Sequence, residues 1–173
     1  MKLFFLLSIL LLHSLHAQLL ISPIDAMKEN FALDAKISKK NILLTKTKFQ
    51  SIQHNAKVKL HTKIYRIYTA LKNKKVLGYG ILINRKVRSK NAVILYMISK
   101  GVLQDIEIIA FNEPKEYLPT KGWNMQFHNT STQYMLRLSR DIPSISGATL
   151  SARSVTEASR IAFALYNQIL KDK

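Results

Sequence analysis

Residues 63–111 constrain the fold more than any other part of the chain, because four apolar-rich runs there, the first alternating with polar residues, are joined by short polar turns. Lys63-Ile64-Tyr65-Arg66-Ile67-Tyr68 alternates as a half-buried strand does, Asn73-Lys74-Lys75 turns the chain, and Val76 to Ile83 returns with Gly78 and Gly80 inside it. Ala92 to Ser99 predicts a third strand, Lys100-Gly101 a tight turn, and Val102 to Phe111 a fourth strand with Asp105 and Glu107 on one face. Short polar turns between consecutive strands enforce antiparallel pairing, since a parallel neighbour needs a crossover of about a dozen residues or more. The run therefore predicts a meander.

Helical patterns flank it. Ser22-Pro23-Ile24-Asp25 reads as a helix start, with Ser at the N-cap, Pro at N1 and an acid at N3, and predicts a short helix to about Leu33. Thr45-Lys46-Thr47-Lys48-Phe49 opens a second helix through about Ala56, with Phe49, Ile52 and Ala56 on one stripe. Residues 112–128 are irregular and hold two of the four prolines and the only tryptophan. A connection of this length is either a lid whose aromatics cap the core or a functional loop. Tyr134 to Leu138 is a candidate fifth strand. Ser151 to Leu170 predicts a long final helix with Val155, Ala158, Ala162, Leu165 and Ile169 inward. The class is α+β: an antiparallel sheet of four to five strands flanked by helices, ending in a long C-terminal helix. Residues 18–59 read as an N-terminal helical segment and 60–173 as the main domain.

The first 17 residues stand apart. Lys2 precedes an apolar run, Leu3 to Leu12, broken only by Ser8, and Leu15-His16-Ala17 before Gln18 resembles a cleavage site. Ten helical residues cover only about 15 Å, half of a bilayer core, so the expectation is a cleaved signal peptide and a periplasmic protein. With no cysteine in the chain, disulfides, thiolate zinc sites, Fe–S clusters and c-type haem are excluded. Net charge is +17, and it is unevenly spread: between Ala35 and Gln104 there is no acid against seventeen Lys and Arg. Such a stretch favours anionic partners, including membrane surfaces, or simply places lysines on solvated faces. Nucleic acid fits an exported protein poorly.

Little in the sequence looks hydrolytic. After the signal is removed, His54, His61 and His128 remain without metal-ligand spacing, and there is no nucleophile elbow, phosphate-binding loop or EF-hand. Glu113 and Glu116, beside Pro114, read most simply as solvated charges. One place invites a ligand. Ser146-Gly147-Ala148-Thr149 lies where the last helix must begin, and a helix start presents unpaired N–H groups that favour a phosphate. Gly147 lets the backbone approach closely, while Ser146 and Thr149 add hydroxyls. Thr149 or Ser151 as an ordinary N-cap fits the same residues.

The stretch D-I-P-S-I-S-G-A-T-L-S-A, residues 141–152, resembles the signature of the FMN-binding domain family. That family includes the flavin subunits of sodium-translocating NADH:quinone reductase and of Rnf-type electron-transport complexes, and small exported proteins of anaerobic respiration. The segments G-Y-G-I-L-I-N-R-K-V-R and F-N-E-P-K-E-Y-L-P-T-K-G-W-N-M-Q-F resemble its sheet and flavin-side loop, so the similarity covers about residues 60–170. Many members carry an acid two or three residues before the motif serine. Here those places hold Ser144 and Pro143, and the nearest acid is Asp141. The resemblance implies FMN esterified through its phosphate to Thr149 by a flavin transferase. It also implies a binding site of Ser146, Gly147, Ala148, Leu150, Ser151, Glu113, Tyr117 and Trp123, with the ring against Tyr117, Trp123 or Phe127. Redox partner proteins at the membrane follow from it, and an electron-transfer flavoprotein rather than a stand-alone enzyme. The competing reading is a flavin-free basic periplasmic module that binds anionic envelope polymers or membrane surface.

Overall fold

The computed structural model describes residues 19–171. The expected signal peptide, residues 1–17, lies outside the described residues. Among those described, no helix is long and apolar enough to cross a membrane.

The meander is present. Strands β2 (Ile64–Lys72), β3 (Lys75–Lys86), β4 (Asn91–Ser99) and β5 (Val102–Phe111) pair antiparallel in chain order. Their hairpins close through Asn73-Lys74 and Lys100-Gly101, whose positive φ angles (51° and 63°, 49° and 76°) match the twist of the strands they join. The fifth strand is not Tyr134 to Leu138, which is irregular apart from one bridge between Leu138 and Ile142. It is β1 (Lys36–Leu43), which pairs with β2 at the sheet edge and lies inside the segment expected to be helical. K-I-S-K-K-N-I-L hides its strand character because an edge strand is half solvated on both faces. Only Ile37 and Ile42 turn inward, and they do so toward opposite sides of the sheet.

Each face of the sheet carries helices. On one side α2 (Lys46–Ala56, capped by Thr45) and α4 (Thr149–Leu165) enclose the larger core, with Ile81, Ile94, Tyr96, Ile98, Leu103 and Phe127 fully or almost fully buried. On the other side α1 (Pro23–Phe31, capped by Ser22) covers a smaller cluster of Met27, Tyr68, Leu95, Met97 and Ile109. Gly78 and Gly80 make this second contact possible. A Cβ on Gly78 would run into the Phe31 ring, and one on Gly80 would lie 2.5 Å from Met27 Sδ.

Helix α4 positions the candidate site. It is buried nearly all round, and its inner residues are small (Ser151, Ala152, Ser154, Ala158, Ser159 and Ala162), so it lies close to the sheet. Three ties fix it there. Tyr96 donates its buried hydroxyl to the Val155 carbonyl at 2.8 Å, Arg85 of β3 pairs with Glu157, and Gly101 N–H donates to the Tyr166 hydroxyl at 2.9 Å. Burial holds the Tyr96 phenol well above its ordinary pKa, so it remains a donor. After Leu165 the helix loosens into a π turn, Tyr166–Leu170.

Candidate functional site

Three separate pieces of chain meet at the start of α4. The first is the motif itself. Ile145 to Ala148 make a turn, with Ala148 N–H on the Ile145 carbonyl at 3.0 Å, and Gly147 there has φ +74°, a left-handed conformation that side chains rarely adopt. No protein atom lies within 4 Å of where a Gly147 Cβ would be, so the backbone angle, not protein crowding, accounts for glycine. Ala148 then takes the N-cap position with no side chain bonding to the helix start. Neither Thr149 nor Ser151 caps it. The exposed Thr149 hydroxyl instead donates at 3.4 Å back to the Ile145 carbonyl, and Ser151 is buried. The first N–H groups of a 17-residue helix are thus left without a side-chain acceptor.

The second piece is the β3–β4 turn, Val87 to Lys90, which contains Arg88. Its backbone is gathered around one carboxylate. The N–H groups of Arg88, Ser89 and Lys90 donate to Glu113 Oε1 at 3.0, 2.6 and 2.7 Å, and the Ser89 hydroxyl reaches Oε2 at 3.2 Å. Glu113 is 7% exposed, so it is not the solvated charge its loop context suggested. Donation from the Lys90 N–H above all, then from Ser89 and Arg88, holds its carboxyl below the usual range against the opposing effect of burial. The third piece is the loop after β5, where a single 3₁₀ turn, Lys115–Tyr117, brings Tyr117 alongside.

These pieces enclose a half-open cavity of about 260 Å³, lined by Val87, Arg88, Glu113, Tyr117 and the backbone and side chains of Gly147 to Ser151. Six of the expected residues therefore converge: Gly147, Ala148, Thr149, Leu150, Ser151 and Glu113, with Tyr117 as a seventh. Ser146 is exposed on the preceding turn and does not line the cavity. Trp123 does not line it either. Its indole packs edge-on against Phe127 at 5.2 Å, and its N–H donates to the Pro143 carbonyl at 2.9 Å. Trp123 thereby ties short helix α3 (Lys121–Asn124) to the stretch leading into the motif, and Phe127 is fully buried. These two aromatics cap the core, while Tyr117 faces the cavity. Asp141 is also absent from it, held instead by Arg137 N–H, the Arg137 guanidinium and the Tyr134 hydroxyl. The Arg137 side chain foremost keeps its carboxyl below the usual range.

No protein-family model matches the sequence. No curated protein matches it either. Among solved structures, NqrC of Shewanella oneidensis aligns with 79% of this chain and 84% of its own at a TM-score of 0.56 and 12% identity. The chain shares the fold of NqrC. The likeness is one of fold and extends across most of the chain.

The cavity could hold an anionic group at the helix start and an apolar one beside it. Uncapped helix N–H groups and the Arg88 guanidinium suit a phosphate. Val87, Tyr117, Ala148 and Leu150 supply apolar surface for a ring edge. The volume lies just below the roughly 300–1,000 Å³ of sites that engulf a ligand, so a flavin here would lie partly in solvent. Arg88 and Val87 were not among the residues expected from sequence. The alternation of bases in R-K-V-R-S-K, residues 85–90, is the available signal, but only the Glu113 contacts show which way that turn closes. Among the described residues, no cluster of His, Asp and Glu is suited to holding a metal ion.

Proposed function

We propose that this protein is an exported electron carrier with FMN joined through its phosphate to Thr149. The observation that carries the proposal is the geometry at the start of α4. The residues that resemble the flavin-attachment signature form an uncapped helix start at the mouth of a cavity, with the Thr149 hydroxyl exposed beside Arg88. The shared fold supports it, since NqrC is an FMN-binding subunit of Na+-NQR.

Each residue then has a task. On a flavin transferase, Thr149 Oγ1 would form a P–O bond to the flavin-side phosphorus of a flavin dinucleotide and lose its proton, as the P–O–P bond breaks and the nucleoside monophosphate leaves. The Thr149 to Ser151 N–H groups and Arg88 would hold the phosphate charge, Gly147 supplies the left-handed backbone angle of the turn before them, and Tyr117 and Leu150 would shield one edge of the ring. Glu113 fixes the turn that carries Arg88. Bound FMN supplies the redox chemistry, and the protein supplies position and electrostatics. Covalent attachment outside the cytoplasm prevents loss of the cofactor by diffusion. The basic middle of the chain suits redox partners or a membrane surface of negative charge.

Periplasmic co-expression with a flavin transferase tests the proposal. Wild type should gain the mass of one FMN less one water and stay fluorescent after denaturation. Thr149→Ala should lose both while folding normally, since its hydroxyl makes only the long bond to Ile145 and even a full cap contributes only about 0.5–2 kcal/mol. Flavin that survives denaturation on Thr149→Ala, or a wild type that never acquires any, would show the assignment to be wrong. The N-terminus of the recovered protein should lie at or near Gln18, and an intact Met1 would point to an anchored form.

A further inference from the structure

Eleven positions along α4 from Thr149, Arg160 presents a positive charge that forms no ion pair among the described residues, and the Glu157 charge acts on it only at longer range. The nearest acid on its helix, Glu157, is engaged by Arg85. The polar contact Arg160 does make is from Nη1 to Met135 Sδ at 4.0 Å, and its Nε is buried without a partner. Removing a guanidinium from water without a paired carboxylate is costly, and burial foremost lowers its pKa against the more distant pull of Glu157. An outside anion would remove that cost.

The surroundings can accept one. A second cavity, of about 330 Å³, opens between the end of α2, the 132–135 loop and α4. His54, Lys57, Gln133, Tyr134, Arg160 and Asn167 line it, and no carboxylate does. Its walls are held firmly. Lys57 takes the left-handed C-cap of α2 at φ 50°, with its N–H on the His54 carbonyl, so the last turn of α2 brings both residues to the cavity wall. Opposite them, Asn167 Nδ2 donates to the Thr132 carbonyl at 2.8 Å, while its Oδ1 accepts from the Thr132 hydroxyl at 2.8 Å and from Gln133 Nε2 at 3.1 Å. Asn167 belongs to the π turn, closed by Lys171 N–H on the Tyr166 carbonyl at 3.0 Å, and such turns are frequent at functional sites.

We propose that this cleft is a second binding site, for a small oxyanion, with Arg160 as its anchor and Lys57 and His54 on the rim. The ligand class is a phosphate or a carboxylate, because the guanidinium fork presents two parallel N–H groups to two oxygens of one group. The volume falls within the range of small-ligand sites. The site is independent of any flavin at Thr149.

Titration of the mature chain with inorganic phosphate and, separately, with succinate, followed through backbone amide shifts at low ionic strength, tests this. Saturable shifts should centre on Thr132, Gln133, Arg160 and Asn167, with chloride producing none. Arg160→Gln should weaken the apparent Kd at least tenfold, and Lys57→Gln, an exposed position that leaves the core untouched, about threefold. Saturation by one of the two anions alone supports the site and identifies its preferred oxyanion. Phosphatidylglycerol vesicles distinguish a lipid headgroup from a free ion: co-sedimentation that Arg160→Gln abolishes would make the headgroup the source of the phosphate. No saturable shift, shifts centred on residues 147–151, or equal affinity in the folded Arg160→Gln or Lys57→Gln protein would overturn the proposal.

Discussion

Glu113 offers the sharpest test of how the candidate site is built, because one carboxylate holds a whole turn. Three backbone N–H groups and one hydroxyl donate to it, and the carboxyl is almost fully buried. A hydrogen bond to a charged group contributes about 1.5–3 kcal/mol. The side chains of Arg88, Ser89 and Lys90 are exposed, so water recovers part of that when the charge is removed. Glu113→Gln, which keeps the shape and one acceptor oxygen, should cost about 1–2 kcal/mol, and Glu113→Ala about 2–4 kcal/mol. At about 2–4 °C per kcal/mol for a domain of this size, the Gln variant should melt roughly 2–8 °C below wild type at neutral pH.

The pH dependence adds a signature that a packing defect would not give. The folded-state pKa of Glu113 lies below its ordinary value of about 4.3. Its ionisation therefore stabilises the fold at every pH above that value, and the contribution is lost as pH falls through the depressed folded-state pKa. Chemical denaturation of wild type and Glu113→Gln across pH 2 to 7 should show a constant gap above about pH 5.5 that narrows steadily below about 4.3. A gap that stays constant down to about pH 2, or no gap at neutral pH, would refute the reasoning. Loss of the turn should also loosen Arg88, so the Glu113→Ala protein should acquire less flavin than wild type in an equal maturation time.

Two further outcomes follow from packing. Trp123→Phe removes the indole donor to the Pro143 carbonyl and should cost about 0.5–1.5 kcal/mol, with faster amide exchange confined to residues 144–148 as the specific readout. Gly80→Ala adds a methyl 2.5 Å from Met27 Sδ and 3.0 Å from Leu95 Cδ1, for a cost of about 1–3 kcal/mol by equilibrium unfolding. Met27→Ala should be less damaging in the Gly80→Ala background than in wild type.

The meander was legible because its apolar runs are separated by short polar turns, and β5 begins and ends at the residues that pattern indicates. The first strand was not, since Lys36, Ser38, Lys39 and Lys40 are solvated on an edge and leave only two inward residues to read. Tyr134 to Leu138 has the composition of a strand, but Asp141 gathers Tyr134 and the Arg137 backbone into a turn instead. At the site, the motif turn and Gly147 were readable from local chemistry. The Glu113 clasp was not, because its partners lie 23–25 residues away and are backbone groups that carry no side-chain signal. Trp123 and Phe127 left two readings open in the sequence, a functional loop or a lid on the core, and the donor to Pro143 with the buried Phe127 ring places them at the core's cap.

The two proposed anion sites lie along a single helix, and their separation makes a last prediction. Eleven residues part Thr149 from Arg160, or about 16 Å of helix at 1.5 Å per residue. Charges that far apart at partly solvated sites are screened at physiological ionic strength, where the Debye length is about 8 Å. Mechanical coupling through α4 is also small, since Tyr96, Arg85 and Tyr166 pin the helix at three points along its length. Flavin at Thr149 should therefore leave the Kd for phosphate at the Arg160 cleft unchanged within about twofold. Titrating loaded and Thr149→Ala protein side by side measures this, and a tenfold difference between them would mean that α4 moves as a unit between two positions rather than standing fixed on its sheet.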